Sequence, residues 1–470
     1  ADDPSVMHGF LVKYDAAGTA LWAHDITTTD ENDIARVDVD VDDEGNILVG
    51  GDARSAVLVD GSPASGVNGA ANAREYFVMK FAPNGSYLWG QHLALQGATG
   101  EFNALDVDAA GNVWAVGHDG VQKGHIYKLD GADGSELVHH QTDGASSYIN
   151  DVKTDAANNA YILGFATNDF TIGGVTCPHN HDLDPSASQW IGKFNAAGDP
   201  QWFHVPSQAG SGFAPYPEGN IAVTPDGTVF SDSRKLMRFG NDTISDGSPG
   251  KRGLYALDTN GDLLFARKAN TTPGLYFNEA VGTADGQAIF LGHFNNNGTS
   301  LDLLDTSINI IPGGNTLLLV RYDAAGVLTG LKAGPHITEA NGIALDLEGY
   351  PVVCGTFSLT PSFDGLTLDG DWDLFALRSE LAHTGLAEQG RGDDVIAWPN
   401  PAEHMLWIRG VGTDPVTIDV LNAVGQQVLH RDRFVAQREA LDLSALPAGA
   451  LFVRISSPAL HAVLRAVHAW

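Results

Sequence analysis

The sequence predicts an all-β chain: a six-bladed β-propeller (seven blades is the alternative count) followed by a small Ig-like β-sandwich. Three observations predict it. Strand-turn-strand units recur at spacings of roughly 50–65 residues. Within each element apolar residues alternate with period 2 rather than 3.6, which excludes helical repeats. The repeat stops after Arg378, and about 75 further residues carry strand and turn signals at a different spacing. The expected domains are a propeller over 1–380, a linker over 381–394 and a C-terminal sandwich over 395–470.

The first recurring unit is an apolar strand, a turn ending in Gly, and a second strand often carrying Trp. It reads Phe10-Leu11-Val12-Lys13-Tyr14 through Gly18 to Leu21-Trp22, and again Phe77-Val78-Met79-Lys80-Phe81 through Gly85 to Leu88-Trp89. Further copies fall at 126–134, 191–198, 254–261 and 319–326, and an incomplete seventh is Leu374-Phe375-Ala376-Leu377-Arg378. The turn glycines 18, 85, 134, 198, 261 and 326 are separated by 67, 49, 64, 63 and 65 residues.

The second unit interleaves with the first. It is Val41-Asp42-Asp43-Glu44-Gly45-Asn46-Ile47, repeated as Val107-Asp108-Ala109-Ala110-Gly111-Asn112-Val113 and around Asp155, Asp226, Asp285 and Asp346. Each is a hairpin signal: Gly or Asn supplies positive φ, and Asp caps the turn backbone. Two hairpins per period make four short antiparallel strands, the content of a propeller blade. A parallel solenoid needs shorter coils, and separate sandwiches need about seven strands each.

Six Asp-Gly hairpins imply six blades. The last lacks an evident fourth strand, and the N-terminal hairpin near 9–25 has no inner partners before it. The expectation is that the N-terminus completes the last blade. The rival is a seven-bladed ring, and a third option is that the leftover strands pair with another molecule.

The two units, F-V-x-K-[YF]-[DA]-x-x-G-x-x-L-W and V-D-x-x-G-N-V-x-V-x-G, resemble the SBBP-type β-propeller repeats of secreted bacterial proteins. The resemblance covers roughly residues 8–380. It implies a fold, and the fold does not fix a function.

Residues 381–394 are rich in Gly, Ala and charge, which suits a linker. Beyond them come Pro399-Asn400-Pro401, then Val420-Leu421-Asn422-Ala423-Val424-Gly425-Gln426-Gln427-Val428, then Leu441-Asp442-Leu443-Ser444 through Pro447-Ala448-Gly449, and Leu451-Phe452-Val453-Arg454-Ile455. In order, spacing and position this segment resembles the type A sorting domain of the Bacteroidota type IX secretion system. The matched motif residues are Pro399, Asn400, Pro401, Gly425, Asp442, Leu443, Ser444 and Gly449. The tail departs from the family, which often ends in a short basic strand, whereas this chain ends Leu464-Arg465-Ala466-Val467-His468-Ala469-Trp470. The resemblance implies a signal peptide already removed, handling by the type IX machinery, and an extracellular or outer-membrane-surface destination.

Composition narrows the partners. Against 26 Lys+Arg stand 58 Asp+Glu, a net charge of −32. Nucleic acid and anionic membrane surfaces are excluded, because both reward cationic protein. No apolar run approaches the roughly 20 residues of a transmembrane helix. Two cysteines, Cys177 and Cys354, make no disulfide framework.

Candidate sites are few. Cys177, His179, His181 and Asp182 are metal-ligand types in one loop, although their spacing matches no closed zinc pattern and a solvated polar loop is the bland reading. Asp38, Asp40 and Asp42 alternate on one strand and could bind calcium; the plain alternative is an acidic face with Asp42 as a turn cap. Thr243, in Asp242-Thr243-Ile244, resembles the O-glycosylation acceptor of Bacteroidota. Trp22, Trp89 and Trp202 share one repeat position, as core residues would. No nucleophile elbow, zincin or P-loop signature occurs, so no enzyme and no required cofactor is expected. The expected role is a secreted surface structural or adhesive protein, self-assembling through strand or edge contacts. A monomeric carbohydrate- or matrix-binding propeller and a polysaccharide-active enzyme are the alternatives.

Overall fold

The computed structural model describes residues 9–468 apart from short stretches, the longest being 179–187, 210–218, 245–251 and 380–395. The expected linker therefore lies outside the described residues. No helix occurs among those described; the regular elements are strands in antiparallel sheets. The chain divides into two compact units, Ala1–Ala382 and His383–Trp470.

The larger unit contains six repeated sheets, five of four strands and one of three, each meandering in sequence order, besides a further four-stranded sheet at the N-terminus and small two- and three-stranded sheets in the insertions. Each repeated sheet opens with a leading strand: Ile34–Val41, Gly100–Val107, Ser147–Thr154, Ile221–Val223, Leu275–Gly282 and Glu339–Leu345. The second strands are Ile47–Ala53, Val113–Asp119, Ala160–Ala166, Val229–Ser233, Ala288–Phe294 and Pro351–Leu359. Third strands follow at Glu75–Phe81, Gly124–Leu129, Ser188–Phe194, Gly253–Leu257, Asn315–Tyr322 and Gly370–Arg378. The sixth sheet has no fourth strand among the described residues.

Both predicted hairpins are visible in these sheets. Between leading and second strands, Asp42 Oδ1 accepts from the backbone N–H of Glu44 and Asn46 at 3.1 and 2.8 Å. Asp108, Asp155 and Asp346 cap their turns in the same way. Thr224 and Thr283 do so with hydroxyls in the fourth and fifth sheets. Between third and fourth strands the turn glycine takes positive φ, as at Gly85 with φ 87°, a conformation that costs a residue with a Cβ.

Neighbouring sheets grip each other at these turns. The third-strand Lys80 pairs with Asp42 at 2.9 Å and donates to Gly131 O of the next sheet at 2.8 Å. Trp89 Nε1 donates to the same oxygen at 3.1 Å. Lys128 repeats the grip on Asp108 and Ala196 O, and Lys193 with Trp202 holds Thr259 O. The recurrent Trp is thus an inter-sheet contact, and its ring closes the apolar layer between sheets.

The N-terminal hairpin, Gly9–Tyr14 and Ala20–Thr28, corrects the sequence expectation. Among the described residues it does not pair with the sixth sheet. Its second strand pairs with Val57–Val59, in the insertion of the first sheet, with Ile26 opposite Val59. On the first sheet it makes the contacts a preceding sheet makes: Lys13 and Trp22 donate to Pro83 O at 2.9 and 3.2 Å, and His24 meets Gly85 O at 2.8 Å; its edge is taken by the insertion strand Val57–Val59 instead. This is the grip that the first three repeated sheets use on the next one.

The smaller unit has a three-stranded sheet (Ile396–Trp398, Met405–Arg409, Arg438–Asp442) and a four-stranded sheet in the order Gln427–Phe434, Val416–Asn422, Gly449–Ser456, His461–His468. One core holds them, with Leu406 and Leu441 from the first meeting Ile418, Val420, Val453 and Ile455 from the second. The strand His461–His468 was not anticipated from sequence.

Candidate functional site

The leading strands of all six sheets contribute to one cavity of about 600 Å³, with Asp38, Asn103, Asp151, Asn220, Glu279 and Asn341 on its wall. A leading strand has a ladder partner on one edge only, so its other N–H and C=O groups need partners elsewhere. Side chains of this chain supply them. Asp38 Oδ2 accepts from Leu105 N at 2.9 Å and Asp40 Oδ2 from Val107 N at 2.8 Å, joining the first sheet to the second. Asp106 accepts from Thr154 N at 2.8 Å, and Asp151 from Ile221 N at 3.1 Å.

Asparagines serve the carbonyls. Asn103 Nδ2 donates to Ile149 O at 2.5 Å, Asn220 to Phe277 O at 3.2 Å and Asn278 to Ala340 O at 2.6 Å. Asn103, Asn150, Asn278 and Asn341 each sit at a register shift in their strand, where the extra residue turns its side chain out of the ladder. Each of these four precedes the turn Asp or Thr by five positions, a signal present in the sequence and missed. Replacing Asn278 with Ala should cost about 1 kcal/mol, the net worth of one neutral hydrogen bond. Urea denaturation followed by tryptophan fluorescence checks this; a neutral effect would mean that the amide does not join the sheets.

The charged groups on the wall are Asp38, Asp151, Glu279 and Arg252; Lys153 Nζ lies 3.6 Å from Glu279 and 3.7 Å from Asp151, and Arg252 pairs with the buried Asp232 at 3.3 Å. Burial pushes the Glu279 carboxyl up, to about 7, against the pull of Lys153. Burial also raises Asp38, and raises Asp106 well above the carboxylate range with Asp40 adding to it. Lys153 is itself lowered by burial, but the surrounding carboxylates outweigh that and hold it firmly protonated.

The predicted site residues fall as follows. Asp38 and Asp40 are inter-sheet acceptors; Asp42 caps its turn, and Lys80 and Asn46 outweigh its burial to hold it below the usual range. No group of three His, Cys, Asp or Glu among the described residues is placed to hold a metal ion. Cys177 is buried in the core beside Phe170 and Trp190, with its thiol pushed up to about 12 by burial. His179, His181 and Asp182 lie outside the described residues, as do Pro399, Asn400, Pro401 and Gly425. Thr243 is on a two-residue strand opposite Arg238. Asp442 accepts from Ser444 N at 2.9 Å, Leu443 is buried, and Gly449 opens its strand.

A second feature is an exposed face on the sixth sheet and an exposed leading-strand stripe on the first, whose second and third strands are covered by the N-terminal hairpin. At the leading-strand position of Leu105, Val152, Ile221 and Ala280, all buried, the first sheet has Val39, 54% exposed. Across the sixth sheet, Cys354 and Ala376 are exposed where Val116 with Ile126, Leu163 with Ile191 and Leu291 with Leu319 are buried. Leu374 beside them is 60% exposed. The leading strands of the sixth and first sheets do not pack as the other five neighbouring pairs do.

With this geometry in place, the comparisons are informative for one unit. Residues 396–467 match the family described as the secretion system C-terminal sorting domain. This segment is a type IX sorting domain. It directs the protein out of the cell to the surface. No helix among the described residues is long and apolar enough to cross a membrane. No curated protein matches the sequence. Among solved structures, a Bacteroides caccae protein of unknown function is 10% identical, with 60% of this chain and 79% of that chain covered and a TM-score of 0.34. A puromycin hydrolase mutant is 12% identical, covering 80% and 58%, at 0.37. A Synechocystis apocarotenoid oxygenase mutant is 9% identical, covering 94% and 97%, at 0.33.

Proposed function

We propose that the six sheets are blades of an SBBP-type propeller, that the sorting unit is an Ig-like sandwich, and that the exported protein is a non-catalytic surface component that assembles with copies of itself. The observation carrying this is the exposed sixth-sheet face together with the exposed leading-strand stripe of the first sheet. At five junctions the chain buries such faces against each other; at the sixth-to-first junction the face of the sixth sheet is open, while on the first sheet the N-terminal hairpin packs over Ile47, Val49, Met79 and Phe81 and leaves Val37, Val39 and Val41 exposed, and the outer edges of Gly9–Tyr14 and Gly370–Arg378 are unpaired among the described residues. The proposed occupant is a second copy, whose exposed Val37, Val39 and Val41 match the apolar character of the open sixth-sheet face. Contact between unlike faces is head-to-tail and does not close by two-fold symmetry, so it builds chains. A net charge of −32 opposes contact until salt screens it.

The test uses light scattering and electron microscopy of the full chain across salt and concentration. Assembly is expected to grow with both. Because Cys177 is buried and Cys354 exposed, alkylation of the native protein by N-ethylmaleimide reports on Cys354, which should become protected in the assembled fraction. Leu374→Glu and Val39→Glu change exposed positions and should keep the protein folded and monomeric. A wild type that stays monomeric under all conditions, with Cys354 always open, overturns the reading.

A further inference from the structure

The cavity between the leading strands offers more than inter-sheet stapling, and its chemistry excludes most ligand classes. Its wall carries the carboxylates of Asp38, Asp151 and Glu279, amides from several sheets, and the Arg252 guanidinium, which is paired with the buried Asp232 at 3.3 Å. Anions are disfavoured by that excess of carboxylate. Apolar ligands would strip water from groups that an apolar surface cannot pair. A cation finds its place taken, because Lys153 already lies between Asp151 and Glu279. What remains is a neutral ligand rich in hydroxyls, which both donate to carboxylate and amide oxygens and accept from amide N–H groups.

We propose that this cavity binds a short neutral oligosaccharide. Its volume of about 600 Å³ falls within the roughly 300–1,000 Å³ of small-molecule sites. Glu279 and Asp151 accept from ligand hydroxyls while Lys153 holds their side chains in place. Asn278 lines the same wall, with one amide N–H given to Ala340 O and the other left to face the cavity side of the bulge in the proposed complex. Tyr276, stacked on His293 at 5.2 Å between ring centres, borders the cavity and is held in one orientation. The site is separate from the exposed faces, so it does not depend on assembly.

The experiment uses full-length Leu374→Glu protein, so that self-association does not interfere. The probes are cellobiose, laminaribiose, maltose and N,N′-diacetylchitobiose, with spermidine as the cationic comparison. Saturation-transfer NMR selects binders, and calorimetry measures stoichiometry. At least one disaccharide should bind one to one. Glu279→Ala should weaken it about tenfold, and Asp151→Asn, a near-isosteric change, should weaken it in the same direction if the first variant folds poorly. Transfer to none of the four disaccharides overturns the proposal. So does binding of spermidine alone with loss in Glu279→Ala, which would make the cavity a cation site.

Discussion

Replacing Lys80 with alanine should lower the unfolding free energy of the larger unit by about 3–5 kcal/mol, the range for removing one partner of a buried ion pair. Lys80 and Asp42 are both buried and 2.9 Å apart. Without the ammonium, the Asp42 carboxylate keeps only its turn donors in a place water hardly reaches. Gly131 O also loses one of its two donors and keeps only Trp89. The double variant Lys80→Met with Asp42→Asn should recover most of the loss, since it leaves no buried charge. Lys13 is the internal comparison: it makes the same contact to Pro83 O in an exposed setting, so Lys13→Ala should cost only about 0.5–1.5 kcal/mol. Urea denaturation of the three variants decides it. A loss below about 1 kcal/mol for Lys80→Ala would contradict a burial-driven cost.

The contrast between Lys80 and Lys13 also marks what was legible in the sequence. The Lys-turn-Trp unit was visible as a repeat, and so was its hairpin, because period-2 alternation and an Asp-x-x-Gly turn are local signals. What Lys80 pairs with was not visible. Asp42 lies in a different hairpin, and Gly131 in a different sheet. The acidic run at Asp38 and Asp40 was read as one strand face. Its purpose became clear only when the next leading strand was seen to bring Leu105 N and Val107 N alongside. The asparagines were missed for the same reason: a strand bulge is a two-strand property, and one strand does not announce it. The N-terminal hairpin was assigned to the sixth sheet because counting strands does not reveal that its second strand pairs with the short insertion strand Val57–Val59. In the sorting unit, the motif was recognised from order and spacing, while the last strand, His461–His468, lacked a turn signal strong enough to set it apart.

Glu279→Gln should stabilise the protein at pH 8 and leave it nearly unchanged near pH 4.5. The wild-type carboxyl is pushed up to about 7 by burial, with Lys153 only partly offsetting that. A carboxyl raised in the folded state gives stability that is fully present below its unfolded value, about 4.5, and is lost as pH rises through about 7. Glutamine resembles the protonated acid and does not ionise, so the variant escapes that loss. The shift corresponds to on the order of 3 kcal/mol at pH 8, an upper figure because Lys153 loses one of its two partners in the variant. The whole-protein pH profile would not isolate this effect. Burial lowers the values of His125, His139, His204 and His293. Their stability is present above about 6.5 and lost as pH falls, opposite in sign to Glu279. The difference between variant and wild type removes that background. Differential scanning calorimetry at pH 4.5, 6 and 8 should show a Tm difference that grows with pH across this window. A difference that is flat across it, or that shrinks as pH rises, would place Glu279 in ordinary solvent contact and remove the electrostatic reason for treating the cavity as a built site.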